Sequence, residues 1–216
     1  MKLKKIASLM LAGVMAVSML AGCSNGNDDG GSNGGNTIVT PSTSSIVTAL
    51  NNGQDADNKV KVTFSDDATL NSALKKAVEY AGDHMGDNTT GSILNYTIDL
   101  MGMVPDQALA AKDWQDALLK NGQKRTVIGI VSASSTEYWT ENDFVNAVAR
   151  DMNEAIADFD ADNKNAGSDD TVGQKYFTFS YTGTASMVTS KQESGSTRYY
   201  IVCTITQTAS EQTVKA

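Results

Sequence analysis

Acidic side chains at alternating positions offer the most specific chemistry in this chain: Asp158, Asp160 and Asp162, then Lys164 and Asp169. Calcium takes roughly six to eight hard oxygen donors, and a loop leaving a helix can supply them from alternate residues. The three carboxylates occupy the first, third and fifth positions of such a loop. Lys164, at the seventh, would present a main-chain carbonyl, and Asp169 stands at the twelfth.

This pattern resembles the EF-hand loop, and the resemblance implies a bound calcium ion. Three departures weaken it. Asn163 replaces the turn glycine, Asn165 replaces an apolar residue, and Asp169 is shorter than the usual bidentate glutamate. The same pentapeptide, Asp-Ala-Asp-Asn-Lys, also occurs at Asp55 to Lys59. A repeated acidic turn, solvated and metal-free, is therefore the competing reading.

Other chemistry is thinly supplied. Hydrolytic triads need a base beside the nucleophile, and the one histidine, His84, falls at the end of an expected helix. Ser72-Ala73-Leu74-Lys75 matches the Ser-x-x-Lys acylation motif, but the partner motifs of that class are missing. Ser72 also lies off the helix's apolar stripe, facing water. One histidine and one distant thiol cannot build a tetrahedral zinc site. A hydrolase acting on cell-wall polymer through two carboxylates stays open, since acids are plentiful. Tyr138-Trp139 could grip a sugar or peptide, or could staple the entry of the following helix.

The amino terminus carries an address. Lys2, Lys4 and Lys5 precede an apolar run from Ile6 to Leu20, too short for a comfortable membrane span. The run ends in Leu20-Ala21-Gly22-Cys23, which resembles the lipobox of bacterial lipoprotein precursors. That resemblance covers residues 1–23. It implies cleavage before Cys23, a diacylglycerol on its sulfur, and an extracytoplasmic domain anchored to the cell membrane through membrane lipid. Ser24 to about Gln54 reads as a tether, opening in a Gly/Asn/Ser run with nothing to nucleate a core. The expected organisation is thus a signal peptide over 1–22, lipidated cysteine and tether over 23–54, and one domain over 55–216. Within the tether, Ile46, Val47 and Leu50 hint at a short ordered piece.

Charge narrows the partners. The chain has 17 basic and 25 acidic residues; three lysines leave with the signal, so the mature charge is −11. Such a surface argues against nucleic acid and against adhesion to anionic lipid. It suits a protein or cell-wall partner, cation binding, or plain solubility. With Cys23 lipidated, Cys203 has no intrachain partner, and stability must come from packing.

The elements that position these groups follow from periodicity. Val60, Val62 and Phe64 alternate as a half-buried strand. Leu70 to Ala81 repeats at helical spacing, with Ser65 or Asp66 as cap and Gly82 as stop. Gly91 to Val104 is ambiguous, because Thr97 and Gly102 weaken a helical stripe. A helix from Asp106 to Asn121 follows Pro105, and Thr126 to Val131 reads as a central strand buried on both faces. Thr140 to Asp143 forms a capping arrangement for a helix carrying Phe144, Val148, Met152, Ile156 and Phe159. Phe177 to Val188 and Tyr199 to Thr206 form a hairpin around Gln192 to Ser196. One face of the return strand carries Tyr199, Ile201, Cys203 and Ile205, which buries the thiol as an inert group. The fold class is α+β: a mixed or antiparallel sheet of about four strands, with three to four helices packed on one face.

Overall fold

The computed structural model describes residues 38–39, 43–84, 90–103, 120–134, 140–164, 171–191 and 196–215. Among them, five strands form one mixed sheet and four helices pack on it, an α+β domain. The strands are β1 (Ile38–Val39), β2 (Val62–Ser65), β3 (Lys124–Ser134), β4 (Lys175–Lys191) and β5 (Thr197–Thr213). The helices are α1 (Thr43–Asn52), α2 (Ala68–His84), α3 (Thr90–Leu100) and α4 (Glu141–Ala157).

The centre is the hairpin of β4 and β5, paired antiparallel from Lys175↔Thr213 to Lys191↔Thr197. β3 pairs antiparallel with the far side of β5. The outer side of β4 is shared: β2 runs parallel to it at Tyr181–Thr184, and β1 antiparallel at Thr189 and Ser190. The hairpin and the face assignment of its return strand stand as the alternation implied. Tyr199, Ile201, Cys203 and Ile205 enter one core; Tyr200 and Val202 enter another.

Two cores mean two covered faces, which corrects the expectation of helices on one face only. α1 and α4 cover the odd-numbered side with Ile46, Leu50, Phe144, Met152 and Ile156. α2 and α3 cover the even-numbered side with Leu70, Leu74, Val78, Ile93 and Ile98. The same fact relocates Thr126 to Val131. Val127 faces the first core and Ile128 and Ile130 the second, so the run is buried on both sides as its composition implies. Yet β3 ends the strand order, pairing only β5 among the described residues. An unbroken apolar run reports burial of both faces, which helices on both sides supply to an end strand as readily as to a central one.

Local rules place the helix ends. Asp67, one residue past the expected caps, starts α2 by accepting from Thr69 N (2.8 Å) and Leu70 N (3.1 Å). The helix runs on through Gly82 to His84. Both residues that made the next segment ambiguous have a helical use in α3. Thr97 folds its hydroxyl onto Ile93 O (2.7 Å), and Gly102 (φ 63°) ends the helix with Gly102 N→Asp99 O and Met103 N→Ile98 O bonds. At α4 the capping box is present: Thr140 N donates to Asp143 Oδ2 (2.9 Å), and Asp143 N donates to Thr140 Oγ1 (3.3 Å). The Thr140 hydroxyl, which donates to Asp143 Oδ2 (2.6 Å), and then the Thr140 N–H hold the Asp143 carboxyl below its usual range.

α1 lies within the stretch expected to be tether, yet Ile46 and Leu50 are fully buried. Its side-chain amides complete the sheet. Asn51 Nδ2 donates to Phe64 O (2.9 Å) while Asn51 Oδ1 accepts from Phe64 N (2.9 Å). Gln54 treats Val62 the same way, at 2.7 and 2.9 Å. Four main-chain groups on the outer edge of β2 are thereby satisfied without another strand. On the inner edge, Phe64 lies opposite Gly183, and a Cβ there would fall 2.5 Å from the Phe64 ring and 2.9 Å from Thr204 O.

Two outcomes are expected in urea unfolding. Asn51→Ala strands two main-chain groups and costs about 1–3 kcal/mol. Gly183→Ala costs a similar amount through overpacking, and Phe64→Leu in the same chain recovers part of that loss. Additive losses for Gly183→Ala and Phe64→Leu would refute the contact.

Candidate functional site

Part of the acidic stretch after α4 runs against the sheet. Ala161 O accepts from Phe179 N (2.8 Å), Asn163 N donates to Phe177 O (3.0 Å), and Asp162 bridges Thr178 antiparallel. Residues 161–163 therefore make a single bridge to β4.

Three of the candidate ligands make local contacts: the main-chain N–H of Asp158 caps α4, the main-chain O of Asp160 accepts from Tyr181 Oη (2.9 Å), and Asp162 Oδ1 accepts from Lys164 N (3.0 Å). The Lys164 ammonium sits 4.4 Å from the Tyr176 ring centroid. No group of three or more His, Cys, Asp or Glu side chains converges among the described residues. Asp169, the last of the proposed ligands, lies outside them, as do Cys23, Tyr138 and Trp139. His84 ends α2, and Ser72 and Lys75 are both exposed, Lys75 reaching Glu79 at 3.9 Å.

The first copy of the repeated pentapeptide leads to a different place. Asn153 of α4 accepts from Asp55 N and Asn58 Nδ2 and donates to Asp55 Oδ2, all at 2.8 Å. These bonds pin the turn after α1 against α4 and close one end of an open groove between the two helices, about 940 Å³ in volume. Small residues make the floor: Ala49, Gly53 and Ala149, with Val145. The helices approach closely here, since a Cβ on Gly53 would lie 3.3 Å from that of Ala149 and 2.9 Å from Ala49 O.

The banks are polar. Thr48 and Asn52 stand on α1, facing Asn142, Asn146 and Arg150 on α4, all exposed. Arg150 is held by Asp151 at 2.9 Å. Asn52, Asn142 and Asn146 make no side-chain hydrogen bond among the described residues, so three amides present both donor and acceptor to whatever enters. Asp55 and Glu154 stand at the end where the turn docks, with Arg150 on the α4 bank and the Lys61 ammonium on Asp55 O, so both signs of charge meet there. The groove was not read from the sequence, because one bank lies in the stretch expected to be tether.

Comparison with protein-family models, curated proteins and solved structures yields no match to this chain.

Cys203 lies in the odd-side core at 4% exposure, and burial pushes its thiol up to about 12. At pH 8 it stays protonated in the folded chain and resists iodoacetamide; denaturant exposes it and restores ordinary reactivity. Rapid alkylation without denaturant, followed by mass measurement, would contradict this burial.

Proposed function

We propose that this chain is a lipid-anchored, extracytoplasmic binding module that holds an envelope component, protein or cell-wall polymer, in the groove between α1 and α4. One observation carries the address: three lysines, an apolar run, small residues and Cys23 fall in the order of a lipoprotein signal. Two or more acyl chains suffice for stable anchoring, because each buried methylene contributes about 0.8 kcal/mol. No helix among the described residues is long and apolar enough to cross a membrane.

Groove and anchor fit one another physically. The Gly/Asn/Ser composition of the stretch after Cys23 is that of a linker between anchor and domain. A module held there meets its ligand at high local concentration, so modest affinity per site suffices. The exposed amides of Asn52, Asn142 and Asn146, without a side-chain hydrogen bond among the described residues, offer donors and acceptors to a ligand.

The test is metabolic labelling with an alkynyl fatty acid in a bacterial host, with the mature amino terminus determined by mass. The expected result is a chain beginning at Cys23 with lipid mass, and no label in Cys23→Ala. A mature terminus elsewhere, or label that survives the replacement, would defeat the anchor.

A further inference from the structure

We draw no further inference here: the strongest candidate, the surface patch of the stacked Tyr80 and Tyr96 rings on α2 and α3, is only partly exposed, and nothing in the structure shows what covers it.

Discussion

Everything in this fold answers to one requirement: a hairpin of two 17-residue strands that carries large apolar side chains on both faces must be covered twice. One helical layer leaves Val188, Tyr200 and Val202 in water, a fully exposed valine alone forgoing on the order of 1.5 kcal/mol or more. The cover therefore comes from distant parts of the chain. α2 and α3 bury Tyr200, Val202 and Val188; α1 and α4 bury Tyr199, Ile201 and Met187. A one-residue slip would turn Thr204 and Thr206 to the side of Cys203 and Ile205, so the side-chain pattern itself opposes it. Special pairs add to that discrimination. Phe64 fits over the missing side chain of Gly183, Gln207 reaches Tyr181 Oη at 2.8 Å, and Thr184 and Thr204 share a hydroxyl bond at 2.7 Å. None of these survives a slip.

The sheet's outer edge on β4 poses a second demand, because unpaired main-chain groups there would template another chain. Instead of one long partner, β4 receives three short ones: the 161–163 stretch, β2 and β1. β2 then exposes its own edge, and α1 closes it with Asn51 and Gln54. Side chains replace a strand at this point. The cost is two ordered amide side chains, and the return is four satisfied main-chain groups plus a helix locked beside α4. The groove is a consequence, for α1 must sit close to the sheet to reach β2, and close to α4 across Gly53 and Ala149.

Much of this was legible in residue order. Capping at Thr140, the stripe from Leu70 to Ala81, and the alternation of Tyr199 to Ile205 each follow from a local rule acting on near neighbours. What was illegible depends on long-range partners. α1 is 10 residues with four apolar side chains, one of them alanine, too little to distinguish a helix from a tether until Asn51 finds Phe64 thirteen residues away. The place of β3 at the end of the order could not be read either, since its composition reports faces and not edges. The bridge at Asp162 was illegible for a related reason. Alternation of carboxylates suits a calcium loop or an extended backbone equally, and the main chain of Phe177 and Phe179 is the partner that the stretch runs beside.

Helix α4 then separates what the fold needs from what it does not. Its inner stripe of Phe144, Val148, Met152 and Ile156 is fully explained by the odd-side core, and Asn153 by the turn it pins. Asn142 and Asn146 take no part in that core: both are exposed, and no side-chain hydrogen bond holds either among the described residues. Asn146, inside the helix, is worse there than alanine by about half a kcal/mol, whereas Asn142 stands in the first turn, where short polar side chains are at home. The solvent side of α4 is thus free of the demands that the core and the pinned turn place on its other faces.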